Sequence, residues 1–97
     1  MMDIVDARKI ADYIIKHGSL IDEGWKGGGI YVLPVGNRTI DLLLDTTGDF
    51  TIMTDGSNTA IDIWFGRVEV YYVDNIVLDL LVKLGISTVI DWVREGF

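Results

Sequence analysis

The sequence contains no cysteine, one histidine and one proline in 97 residues. The absence of cysteine excludes disulfide bonds, thiolate zinc sites and cysteine nucleophiles. Basic residues are also scarce, since 8 lysines and arginines stand against 15 acids and give a net charge of −7. This balance argues against broad contact with nucleic-acid backbones, because their affinity for proteins comes from lysines and arginines that neutralise phosphates.

Long apolar runs and cationic leader segments are lacking as well. No window approaches the roughly 18 uncharged apolar residues that a membrane span requires. The first dozen residues carry Asp3, Asp6 and Asp12, whereas a signal peptide begins with positive charge. We therefore expect a cytoplasmic protein that makes no membrane contact.

The apolar content is sufficient for one folded core. Hydrophobic residues make up 49% of the chain, which excludes an intrinsically disordered sequence. A length of 97 residues is typical of one domain. No internal repeat or dividing linker is present, so residues 1–97 are expected to form a single α+β domain.

The N-terminal segment predicts a helix over residues 3–17. Asp3 is a suitable N-cap, and His17 followed by Gly18 is typical of a helix that ends in a left-handed glycine. The apolar residues recur at helical spacing: Ile4, Ala7, Ile10, Ala11 and Ile14. Residues 19–29 are interpreted as a glycine-rich connector, and the pattern leaves open whether Ser19 to Trp25 adds an edge strand or a turn of helix.

Between residues 30 and 73 the apolar period changes to two, which predicts strands. The predicted strands are Ile30–Val35, Arg38–Leu44, Phe50–Thr54, Thr59–Phe65 and Arg67–Val73. Short connections make them an antiparallel meander, and Pro34 suggests an edge position. The loop lengths place Leu33 opposite Ile40 and Leu42 opposite Ile52, on a core face that is also expected to hold Phe65.

The C-terminal segment predicts two further helices. Asp74 is an N-cap candidate for a helix that ends at Gly85, and Ser87 is one for a last helix over Thr88–Glu95. The predicted fold class is α+β, with an N-terminal helix, a five-stranded antiparallel meander and two C-terminal helices packed on one face of the sheet.

Sites for catalysis, metals and cofactors find no support in the sequence. The only histidine, His17, is explained by its position at a helix C-terminus. Asp45 and Asp49 are interpreted as turn residues that bond nearby backbone, since their loop lacks the ligand spacing of a calcium site. The glycine run follows a helix and precedes a strand, the reverse of a phosphate-binding loop. We predict no enzyme, no cofactor and no metal site.

The tail carries a resemblance that implies a different function. Leu84-Gly85-Ile86-Ser87 matches a turn and Trp92–Gly96 matches a helix end, and together they are similar to the helix-turn-helix of phage and bacterial regulators. The resemblance implies DNA reading through residues 76–96. The chain departs from the pattern by two residues missing after Ser87 and by Asp91 at a position that the family fills with an aliphatic residue. A transcriptional regulator is therefore kept as the second alternative.

The sheet face opposite the core combines large apolar side chains with acids. A face that meets only water is more uniformly polar, whereas aromatic residues rimmed by charge are typical of contact surfaces. The candidate partner-binding residues are Asp41, Leu43, Met53, Asp62, Trp64, Glu69 and Tyr71, with Trp25 of the connector as a further anchor. The alternatives are that a second copy of the chain or the first helix covers this face.

These observations predict a small, acidic, non-catalytic protein-binding module. The excess of acids favours a partner with a basic surface, such as a nucleic-acid-handling protein presents. The size and charge fit an inhibitor or immunity-type antagonist encoded by a phage or mobile element. The first alternative is a structural homo-oligomer, and direct nucleic-acid binding is not expected.

Overall fold

The computed structural model describes residues 2–23 and 28–86. One six-stranded antiparallel sheet, in which the strands follow chain order, packs against two helices. The elements are α1 (Ile4–His17), β1 (Ser19–Asp22), β2 (Gly29–Val35), β3 (Arg38–Leu44), β4 (Phe50–Thr54), β5 (Asn58–Trp64), β6 (Arg67–Val70) and α2 (Asn75–Lys83). The α+β class and the antiparallel meander are confirmed. The sixth strand, β1, comes from the segment whose structure the sequence left open, and the predicted helix over Thr88–Glu95 lies outside the described residues.

Both helices begin at the aspartates that the sequence indicated as caps. The Asp3 carboxylate accepts a hydrogen bond from the backbone N–H of Asp6 at 2.9 Å, and Asp74 accepts one from Val77 at 3.3 Å. These bonds satisfy N–H groups that have no partner inside the helix. The apolar stripes of α1 and α2 are buried in the same core: Ala7, Ile10, Ala11, Ile14, Val77, Leu80 and Leu81.

The register of the sheet follows the alternation of the sequence. Leu33 lies opposite Ile40 and Leu42 opposite Ile52, as predicted. Ile61 lies opposite Val70. The inner face, which packs against α1 and α2, contributes these buried residues to the core: Ile40, Leu42, Phe50, Ile52, Ile61 and Ile63.

Two details at the β5 and β6 end differ from the prediction. Phe65 does not join the core, because β5 ends at Trp64 and Phe65 forms a two-residue turn with Gly66. Strand β6 ends at Val70 rather than Val73, because a register shift in β5 lets the Ala60 carbonyl accept the N–H groups of both Tyr71 and Tyr72.

Pro34 lies in a strand that is not the outermost one. β1 flanks β2, but it pairs only with the stretch from Ile30 to Val32. Pro34 lies beyond the end of β1, where β2 itself forms the edge of the sheet. The missing N–H of proline is tolerated at such an edge.

Gly18 ends α1 in a way that the sequence did not reveal. Its φ of −88° and ψ of −172° are extended, so the prediction of a left-handed cap is wrong. A Cβ at this position would lie 2.6 Å from the Ile14 carbonyl oxygen and 2.8 Å from that of Val32. Glycine is needed here because a side chain would collide both with the last turn of α1 and with the backbone of β2, against which the end of α1 passes.

We expect Gly18→Ala to lower the free energy of unfolding by about 1–3 kcal/mol, the usual penalty for an extra methyl group in a packed site. The neighbouring Ser19 is exposed, so Ser19→Ala serves as the control and is expected to change stability by less than about 0.5 kcal/mol. Urea unfolding followed by circular dichroism measures both. Equal midpoints for the two variants would contradict the close approach of α1 to β2.

Candidate functional site

The sheet face turned away from the helices, here called the outer face, gathers most of the predicted partner-binding residues. One row of cross-strand neighbours joins Leu43, Thr51, Asp62 and Glu69 from β3 to β6. Trp64 lies at the end of β5 and is 62% exposed. Because α1 packs on the inner face, it does not cover Trp64. Trp25, the remaining candidate, lies outside the described residues.

Among residues 2–23 and 28–86, the two most exposed aromatic residues form a pair at the tip of the β5–β6 hairpin. The rings of Trp64 and Phe65 meet edge to face, with centroids 5.0 Å apart and planes inclined by 78°. Phe65 is 80% exposed and has a φ of +50°. A positive φ is an outlier for a bulky residue, and such a conformation costs about 1–3 kcal/mol. Sequence reasoning missed this tip because it placed Phe65 in the core.

Asp49, in the loop between β3 and β4, supports this strained turn. Its Oδ2 accepts a hydrogen bond from the backbone N–H of Phe65 at 3.0 Å. Its Oδ1 lies 3.5 Å from the backbone nitrogen of Gly66. Hydrogen bonds to a charged acceptor are stronger than those between neutral groups. The bonds to Asp49 therefore offset part of the strain caused by the positive φ of Phe65. The sequence predicted that Asp49 bonds nearby backbone, whereas its carboxylate bonds the β5–β6 turn instead. Its partners lie 16 and 17 residues further along the chain.

Tyr71 and Glu69 form an exposed polar pair at the β6 side of the outer face. The Tyr71 hydroxyl donates to Glu69 Oε2 at 2.5 Å. This hydrogen bond, together with the negative charge of Glu69, raises the pKa of Tyr71. Tyr71 therefore presents a neutral phenol, and the bond fixes the direction of the Glu69 carboxylate.

Asp41 is not available to a partner, contrary to the prediction that it lies exposed on this face. It is only 3% exposed, because the turn after β4 folds over it. Its Oδ2 accepts hydrogen bonds from the Gly56 N–H at 2.6 Å and from the Thr39 hydroxyl at 3.2 Å. Asp41 therefore stabilises the β4–β5 turn. Met53, its cross-strand neighbour, is half-buried.

Arg38 is committed to the chain's own acids. Its guanidinium donates to Asp55 at 2.9 and 3.1 Å and to Asp74, the cap of α2. These bonds hold the pKa of Asp55 below its usual range, with the Thr39 N–H contributing. The cluster ties β3, the β4–β5 turn and α2 together, so it is a structural feature rather than a binding site.

A groove of about 440 Å³ opens beside Trp64, at the end of the sheet where β3 and β5 finish. Ile30 and Leu43 line it as cross-strand neighbours. Asp45, Asp49 and Asp62 contribute carboxylates, and no lysine or arginine is among its described lining residues. The groove is therefore apolar with an acidic border.

The described residues contain neither a cluster of metal ligands nor a helix able to span a membrane. Within residues 2–23 and 28–86, no three acidic or histidine side chains are placed to hold a metal ion. Over the same ranges, neither helix has the length and apolarity to cross a bilayer. Of the helix-turn-helix resemblance, only the part up to Ile86 lies in the described chain, so the prediction of DNA reading stays untested.

Comparisons of the chain with protein-family models, curated proteins and solved structures find no match.

Proposed function

We propose that this protein is a non-catalytic binding module that docks a protein partner through Trp64 at the end of its outer face and through Phe65 in the adjoining turn. The observation that carries the proposal is the conformation of Phe65. The residue has a positive φ, yet its ring is 80% exposed and gains little from the chain's own core. Backbone strain of this kind is concentrated at functional sites, and large exposed aromatics are the usual anchors of interfaces.

The acids of the outer face and of the whole chain support a basic partner. Asp62 and Glu69 are cross-strand neighbours on the outer face. The tip itself is of mixed charge, since Arg67 lies opposite Trp64 and Arg8 lines a pocket with Phe65. The whole chain carries a net charge of −7. Opposite potentials speed the encounter of two proteins and exclude wrong partners. Proteins that handle nucleic acids present basic surfaces, so an inhibitor or immunity-type antagonist of such a protein, encoded by a phage or mobile element, is the form of module we propose.

Affinity capture followed by titration with the purified partner tests this function. The captured protein is identified, purified and titrated with the parent chain and with Trp64→Ala from low to high salt. We expect affinity to fall as salt rises, because screening weakens charge attraction, and to fall strongly with Trp64→Ala. Val82→Ser, at an exposed apolar position on α2, is the control and should bind like the parent. Affinity that ignores both salt and Trp64 would refute the proposal.

Self-association is a second candidate, favoured by the β1 edge. Leu20 and Ile21 are exposed there, and β1 has no strand on its other side in the described chain. Unpaired edges of this kind are templates for a further strand. Light scattering at micromolar concentration separates the candidates, since a monomer excludes self-association at the edge.

A further inference from the structure

The groove beside Trp64 has the size of a recognition pocket. Its volume is about 440 Å³, and pockets that enclose ligands or side chains commonly measure roughly 300–1,000 Å³. Gly28, which also lines it, approaches the sheet so closely that a Cβ there would lie 2.6 Å from the Leu44 carbonyl oxygen. The groove is therefore bounded by closely packed backbone on that side.

The chemistry of the walls selects a long cationic side chain. Ile30 and Leu43 offer apolar contact, Trp64 offers an indole ring, and Asp62 offers a carboxylate. The Thr51 hydroxyl donates to Asp62 Oδ1 at 2.8 Å, which fixes the direction of that carboxylate. The acids disfavour phosphate groups and anionic lipid surfaces, since like charges repel.

We infer that this groove takes an arginine side chain of the protein partner, an assignment that rests on the proposed function. The aliphatic stem of arginine packs on apolar walls. Its planar guanidinium stacks on an aromatic ring and bonds a carboxylate through two parallel N–H groups. A lysine ammonium carries the same charge but has neither the plane nor the fork. Arginine therefore satisfies the apolar wall, the indole ring and the fixed carboxylate together.

Two synthetic peptides of equal length and charge, one arginine-rich and one lysine-rich, test the inference with the full chain. We expect the arginine peptide to bind several-fold tighter, with NMR shift changes centred on Leu43, Asp62 and Trp64. Asp62→Asn is expected to weaken its binding about 10-fold, the size of a hydrogen bond to a charged group. Trp64→Ala should reduce the preference for arginine over lysine. Asp79→Asn removes the same charge at an exposed position of α2, and it should bind like the parent.

The outcomes separate this inference from the proposed function. The groove assignment would be overturned if the two peptides bound with equal affinity and if Asp62→Asn bound the arginine peptide as tightly as Asp79→Asn does. The proposal of a basic partner would still stand. Failure of both peptides would also overturn the groove, while the partner titration decides the proposed function. The parent chain could instead bind neutral lipid vesicles but neither peptide, with Trp64→Ala binding the vesicles more weakly. That result would overturn the arginine assignment and make the groove a membrane contact.

Discussion

Replacing Phe65 by asparagine is expected to stabilise the protein and to impair its binding. Asparagine tolerates a positive φ, and Phe65→Asn gives the Asn-Gly pair that two-residue hairpin turns prefer. We expect the free energy of unfolding to rise by about 0.5–1 kcal/mol, as for other changes that fit the backbone conformation. Binding to the captured partner should weaken by at least about 30-fold, the effect of losing an aromatic anchor.

Tyr72 provides the matched control for Phe65. It is also an exposed aromatic, but its φ is not positive. Tyr72→Asn should therefore bring no gain in stability and no loss of binding. Urea unfolding and titration with the partner measure the two effects separately. A Phe65→Asn protein that is less stable than the parent and binds as tightly would show that the tip is a structural feature.

The second large effect is expected from replacing leucine by alanine on the inner face of β3, and the same substitution on the outer face should have a different effect. Leu42 is fully buried on the inner face, between Tyr31 of β2 and Ile52 of β4, whereas the adjacent Leu43 is 42% exposed. Leu42→Ala is expected to lower the free energy of unfolding by about 2–5 kcal/mol, because it removes buried contacts and leaves a cavity. Leu43→Ala should lower it by about 1 kcal/mol or less and should weaken binding of the arginine peptide.

These two variants carry the same substitution on opposite faces of β3, so any difference between their effects on stability and on binding comes from position alone. Both remove the same atoms from neighbouring residues, so differences in chemistry do not contribute. Chemical denaturation gives the stabilities, and peptide titration gives the binding. A larger loss of stability for Leu43→Ala than for Leu42→Ala would mean that the outer face is the buried one.

Local patterns were enough to predict most of the fold. Period-two alternation fixes which residues share a face, and a register error of one residue would reverse all of them. The alternation, continued from Leu42 and Ile52 through short turns, therefore places Trp64 on the outer face, as the structure does. The caps Asp3 and Asp74 act within three residues of themselves, so their roles are also visible in the sequence.

The errors arise where residues distant in the sequence meet. Asp41 is buried by a turn 15 residues further along the chain, and alternation within β3 carries no information about that turn. The support of Phe65 by Asp49 is likewise a contact between two hairpins. Gly18 is required by the backbone of β2 as well as by the last turn of its own helix, and only the second of these contacts is local in the sequence. The alternation therefore shows which residues share the outer face, whereas the strained turn at Phe65 is visible only in the structure.

The most direct measurement is the accessibility of Trp64 in the free and the bound protein. Trp25→Phe combined with Trp92→Phe leaves Trp64 as the sole tryptophan of the chain. Its fluorescence can then be quenched with acrylamide without interference from the chain's other tryptophans. We expect strong quenching in the free monomer and protection when the basic partner is added. Weak quenching in the free monomer, or unchanged quenching in the complex, would contradict docking through the outer face.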